Sequence, residues 1–128
     1  MNTSKMITGR SFSQEMIVTS KDTAAAHGSG KLDVFATPAL VCLMENTALK
    51  CLKGVLDDQE DTVGIAIDVK HVKATGVGKK VSCRATIDEV DGRRVRFAIE
   101  AWDESGTIAS AVHERFVIDP ERFMKKIE

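Results

Sequence analysis

Apolar and polar residues alternate along four stretches in the second half of the chain. From Thr62 to Lys73 the apolar set is Val63, Ile65, Ile67 and Val69, with His71 in phase. From Lys80 to Val90 it is Val81, Cys83, Ala85 and Ile87; from Arg93 to Asp103 it is Val95, Phe97, Ile99 and Ala101. A fourth stretch runs from Thr107 to Ile118. A period of two marks strands with one face buried. Asp91-Gly92 is a strong hairpin signal, and Glu104-Ser-Gly106 turns the chain again. Phe12 to Ser20 reads as a further strand near the start.

One segment breaks the rhythm. Pro38 to Leu52 is apolar almost throughout, and Thr37-Pro38 before it reads as a hydroxyl cap followed by a proline at the first helical position. Gly54 marks its end. At about 100° per residue, Asn46, Lys50 and Lys53 form one polar stripe, while Val41, Ala48, Leu49 and Leu52 surround Glu45 on another face. Such a helix should be buried on most sides. Lys21 to Asp33 carries no apolar period and reads as a loop, and Pro120 to Lys126 as a short terminal helix. Strand, loop, helix and four strands predict an α+β fold: a curved antiparallel five-stranded meander wrapped around one helix.

With 128 residues, the chain suits a single domain over 1–128. Apolar residues are 43% and charged residues 29%, with a net charge of −1, so there is no basic field to attract nucleic acid. No apolar run is long enough for a membrane span, and the first residues lack the apolar core of a signal peptide. Cys42, Cys51 and Cys83 form no zinc spacing. An odd set of free thiols fits a reducing cytoplasm, and Cys42 and Cys51 read as small core residues. No metal-ligand spacing or GxSxG elbow is present, and no cofactor is expected.

The candidate chemistry lies in three residues. Glu45 is a carboxylate in an apolar helix, where burial is costly unless it is held and where a raised pKa would suit a base or nucleophile. His71 prolongs the inward parity of its strand; a lone histidine there is more often a satisfied core or edge residue than a catalytic one, and it is the combination with Glu45 that makes it a candidate. Thr37 is a cap by default, yet a hydroxyl at a helix start sits beside unpaired N–H groups that stabilise developing negative charge. Arg115 is by default an ordinary strand charge, His27 a loop residue and His113 a strand residue. Trp102 shares a face with Arg94, Arg96 and Glu100, away from the core.

These residues carry a resemblance. Val34-Phe-Ala-Thr37, Glu45 eight residues later, His71 26 residues after that, Gly64-Ile-Ala-Ile67 and His113-Glu-Arg115 together resemble the fluoroacetyl-CoA thioesterase type of hot-dog-fold protein. The resemblance implies a hot-dog homodimer with sites at the subunit interface. It implies hydrolysis of an acyl-CoA thioester to a carboxylic acid and free CoA, without a cofactor. Thr37, Glu45 and His71 match the family's catalytic trio. Gly64 matches a glycine whose N–H polarises the thioester carbonyl, and Arg115 a residue near the CoA-binding region. The fluoroacetyl-specific enzyme carries aromatic lid residues before the helix, whereas His27 to Asp33 has none and only Phe35 lies nearby. That departure implies a more open site and another acyl group.

In the thioesterase reading, Glu45 activates water or attacks the carbonyl. His71 protonates the thiolate or orients water, and Thr37 bonds Glu45 or is itself the nucleophile. The alternative is a non-catalytic acyl-CoA or small-ligand binding module on the same fold. A hydratase is weaker, for no Asp/His dyad lies near the helix. A homodimer is expected on separate grounds, since an open five-stranded sheet leaves edge strands that a second copy can pair.

Overall fold

The computed structural model describes residues 1–128. The strands are β1 (Ser11–Ile17), β2 (Asp61–His71), β3 (Lys80–Asp91), β4 (Arg94–Asp103) and β5 (Gly106–Ile118). Helix α1 (Ala24–His27) is one turn long, α2 (Thr37–Cys51) is the central helix, and α3 (Pro120–Ile127) closes the chain. All five strands form one antiparallel sheet in the order β1-β3-β4-β5-β2.

That order corrects the expected meander. Strands β3, β4 and β5 are consecutive neighbours, but β2 pairs with β5 at the far edge, and β1 takes the place beside β3. The reason lies in the connector of residues 72–79, which is too long for a hairpin turn and crosses from one side of the sheet to the other. A buried carboxylate anchors this connector. Asp103 accepts from Lys73 Nζ at 2.9 and 3.0 Å, from Thr75 Oγ1 at 2.9 Å and from the Ser105 N–H at 2.8 Å.

The alternation did find the inner face of the sheet. Val81, Cys83, Ala85, Ile87, Val95, Phe97, Ile99 and Ala101 are all buried. On this face lies α2, which buries Ala39, Leu40, Leu43, Met44, Thr47, Ala48 and Cys51. Each large side chain buried in this way contributes roughly 1.5–3 kcal/mol. Thr47 is reconciled with the apolar layer by donating to the Leu43 carbonyl at 2.7 Å and accepting from Gln14 Nε2 at 2.8 Å. The opposite face carries charges, and Trp102 lies there under the Arg84 guanidinium, 5.5 Å from the ring centroid.

Two further expectations change. The segment of residues 21–33 is partly helical. A 3-10 turn at Ser20–Asp22 leads into α1, which Thr23 caps by accepting from the Ala26 N–H at 3.1 Å. Cys42 is exposed rather than a core residue, whereas Cys51 and Cys83 are buried. Burial pushes the Cys83 thiol up to about 11, so it stays protonated and inert. No helix is long and apolar enough to cross a membrane.

Candidate functional site

Ala36, not Thr37, precedes the first turn of α2: it is extended, with φ −74° and ψ 143°, and provides no side-chain cap. Thr37 is the first helical residue, so its hydroxyl is released from capping. It bonds instead to His71 Nδ1 at 2.8 Å. This corrects the cap reading, and within one chain the partner of Thr37 is His71, not Glu45. His71 ends β2, and its ring meets the buried Phe35 edge-on, with centroids 6.4 Å apart at 77°. Its Nε2 is buried without a hydrogen-bond partner. Burial lowers the imidazole pKa, against an opposing pull from the Lys73 backbone, so the ring is neutral at neutral pH. Thr37 and His71 open onto a cleft of about 400 Å³ lined by Ala24, Ser29, Val34 and Ala74. The Thr37 and Ala39 N–H groups at the start of α2 have no intrahelical partner and carry the positive end of the helix dipole.

Glu45 lies two turns further along α2. It is not buried in the single chain: its side chain is 42% exposed. It sits in an open groove with Pro38, Val41, Cys42, Leu49 and Arg115. Of the four neighbours the sequence placed around Glu45, Val41 and Leu49 line this outward groove, whereas Ala48 and Leu52 are buried in the core, so Glu45 lies at the border between the two faces. Arg115 is buried, contrary to its default reading, with Nη1 3.6 Å from Glu45 Oε2. Its Nε donates to Thr62 Oγ1 at 2.8 Å and its Nη2 to the Thr62 carbonyl at 3.1 Å. Burial lowers the guanidinium pKa, while Glu45 opposes that shift.

Gly64 completes this second group. A Cβ built on it would lie 2.8 Å from Glu45 Oε2, 3.2 Å from His113 Cε1 and 3.4 Å from Arg115 Nη1. Only a bare backbone allows the carboxylate to approach so closely. Sequence reasoning missed Thr62 and His113 as members. Strand parity held a signal, because His113 alternates with Arg115, Ala111 and Val117, all of which point inward.

The six candidates therefore fall into two groups within one chain: Phe35, Thr37 and His71, and then Glu45, Gly64 and Arg115. Thr37 and Glu45 are separated by about 12 Å along the helix axis. No hydrogen bond or ion pair joins His71 to Glu45, whose partners are Thr37 and Arg115 respectively. No cluster of three His, Cys, Asp or Glu side chains is arranged to hold a metal ion.

Residues 18–121 match the family described as fluoroacetyl-CoA-specific thioesterase. The chain belongs to that family. It is 38% identical over 95 residues to the fluoroacetyl-CoA thioesterase of Streptantibioticus cattleyicolor, which covers 74% of this chain and 68% of the relative. A crystal structure of a single-site variant of the fluoroacetyl-CoA-specific thioesterase superposes with a TM-score of 0.90 at 32% identity, covering 95% of each chain. The same variant in complex with fluoroacetate and CoA gives 0.87 at 32% identity, covering 92% of this chain and 99% of that one. A hot-dog-like protein from Thermanaerovibrio acidaminovorans has a TM-score of 0.89 at 23% identity over 97% of this chain and 92% of its own. That likeness bears on the fold alone, and the fold is the hot-dog α+β architecture expected from the sequence.

Proposed function

We propose that this protein is an acyl-CoA thioesterase whose site is completed by two copies of the chain. The observation that carries the reading is the Thr37 Oγ1–His71 Nδ1 bond of 2.8 Å at the start of α2. A neutral imidazole accepting from a hydroxyl is a nucleophile–base pair. Thr37 Oγ attacks the thioester carbonyl as Nδ1 takes its proton. The C–S bond breaks, and the imidazolium returns the proton to the departing CoA thiolate. Water then cleaves the Thr37 ester to give the carboxylic acid and restore the hydroxyl. Glu45, held by Arg115, orients that water, accepts its proton and returns it to the departing Thr37 oxygen, and the Gly64 N–H and the α2 N-terminus face the oxyanion.

Glu45 reaches this carbonyl from a second copy, and with it come the Gly64 and Arg115 that lie against it. Antiparallel pairing of two α2 helices about a two-fold axis at Val41 brings residue 37 of each beside residue 45 of the other, because 41 is their midpoint. The open groove around Val41, Cys42 and Leu49 and the free edge of β2 support such a homodimer. Three free thiols support a cytoplasmic setting. The cleft lined by Ala24, Ser29 and Val34 supports an acyl group larger than fluoroacetyl.

The second reading, a binding module without catalysis, is favoured only by the separation of Thr37 from Glu45 within one chain. Val41→Glu tests the composite site. Light scattering should report a monomer, and thiol release from acetyl-CoA and hexanoyl-CoA should fall at least tenfold. A monomeric variant with full turnover rejects the shared site, and a wild type that binds CoA esters without releasing thiol selects the binding module.

A further inference from the structure

The imidazole of His113 has no part in the mechanism above. It is only 1% exposed, between β2 and the Arg115 guanidinium, and its ring stacks on Phe97 with centroids 6.3 Å apart. Nδ1 lies 2.8 Å from the Ala66 carbonyl oxygen. A carbonyl can only accept, so Nδ1 carries the proton. Nε2 is then a lone pair, and it accepts from Arg115 Nη1 at 3.2 Å. The other guanidinium contacts go to Thr62 and Glu45.

The Ala66 carbonyl belongs to a β-bulge. Gly64 is opposite Arg115 and Ala66 opposite Glu114, leaving Ile65 as an extra residue in β2. A bulge breaks the local ladder and re-aims the backbone on either side. His113 supplies a side-chain donor at this break and carries the connection on to Arg115. One ring thus spans the backbone that presents Gly64 and the cation that holds Glu45.

We propose that His113 is a positioning residue for thioester hydrolysis: it bonds the β2 bulge and the Arg115 guanidinium together, so that the Gly64 backbone and the Glu45 carboxylate are held toward one point. The inference rests on the roles given above to Gly64 and Glu45. Neutrality of the ring fits the arrangement, since burial lowers its pKa, helped by the Arg115 charge and opposed by the Ala66 carbonyl and Glu45. A protonated ring would have no lone pair for Arg115.

The test compares His113→Leu, His113→Asn and His113→Gln in the full chain, with Glu45→Gln in parallel. Leu removes both bonds. Asn places an amide donor near Nδ1, and Gln an acceptor near Nε2. With the better of acetyl-CoA and hexanoyl-CoA as probe, His113→Leu should lower kcat about tenfold or more and leave KM within about threefold. Asn and Gln should each recover part of that loss. A Leu variant within about twofold of wild-type kcat overturns the proposal, as do losses in all three variants that follow the drop in Tm without recovery. Should the Leu variant fail to fold, the Asn and Gln variants and nitrogen NMR of the labelled wild type remain decisive. At pH 7 His113 must show the Nδ1–H tautomer, and an Nε2–H tautomer overturns the proposal. A silent Glu45→Gln variant removes the underlying mechanism, whereas an inactive Glu45→Gln variant beside a silent His113→Leu variant removes only the role of His113.

Discussion

Gly64→Ala separates two roles that one glycine can have. The substitution keeps the backbone N–H, so any donor to the oxyanion survives. It adds one methyl group, 2.8 Å from Glu45 Oε2. Ordinary contact begins at 3.4 Å, so the carboxylate must retreat by about 0.6 Å. The Arg115 contact at 3.4 Å is ordinary, and the His113 ring at 3.2 Å must give by about 0.2 Å. Gly64 does not adopt a positive φ, so alanine brings no backbone strain. Glu45 is the end of a half-exposed side chain and can give way, which keeps the stability loss near 1 kcal/mol, at the low end for overpacking. Catalysis is less forgiving, since a displacement of about 1 Å costs on the order of a hundredfold. A shift of 0.6 Å should therefore lower kcat roughly ten- to fiftyfold, with little change in KM. Thiol release from a CoA ester measures kcat and KM, and calorimetry measures the stability loss. Full kcat in Gly64→Ala would refute the claim that this space is kept for the carboxylate, and a collapse in Tm would refute the claim that Glu45 yields.

Thr37→Ala should cost stability only a few tenths of a kcal/mol, because Thr37 is not a cap, but should lower kcat about a hundredfold or more, with Thr37→Ser restoring most of it. A Tm loss typical of a missing cap with intact kcat would reverse the assignment. The acid limb of kcat/KM should fall below pH 6.5, the ordinary imidazole value, because burial lowers the pKa of His71 and the neutral form is the base. A midpoint above 7 in the pH profile contradicts this. Asp103→Asn should lower Tm by several degrees at pH 7 and also reduce kcat, as the connector after His71 loosens. The Lys73 hydrogen bond holds the Asp103 pKa below its usual value, so its contribution is complete above about pH 4 and is lost as the pH falls through the lower folded value. The Tm difference between wild type and variant should narrow below pH 4, and a constant difference tells against the pairing.

Most of the fold could be read from the chain because each strand buries one face. Val81 to Ile87 and Val95 to Ala101 leave no register but the observed one, since a slip of one residue would put their charged neighbours into the core. The position of β2 could not be read in the same way. Its Ile67 and Val69 alternate as well at a sheet edge as beside β3, the bulge at Ile65 takes Val63 and Ile65 out of the expected inward phase and turns Thr62 and Gly64 in instead, and the deciding fact is the 72–79 connector, tied to Asp103 by Lys73 and Thr75. Those contacts span about thirty residues and have no local signature.

For the site, the same limit takes another form. Apolar periodicity marks surfaces that leave water, whether they meet the chain's own core or another molecule. Leu40, Met44, Ala48 and Cys51 face the sheet, whereas Val41, Cys42 and Leu49 point away from it, and both sets have helical spacing. A helix with two apolar faces looks buried throughout, which is why Glu45 reads as a core carboxylate and Cys42 as a core thiol. The polar stripe of Asn46, Lys50 and Lys53 then becomes the informative feature: Lys50 and Lys53 stay exposed, and Asn46 marks the border of the groove that holds Glu45. Glu45 lies on the face that a second copy would cover, and there the physics of a buried carboxylate returns. Desolvated by pairing of the subunits, and with Arg115 as its one fixed countercharge, it would become the water-excluded base that the sequence alone had indicated.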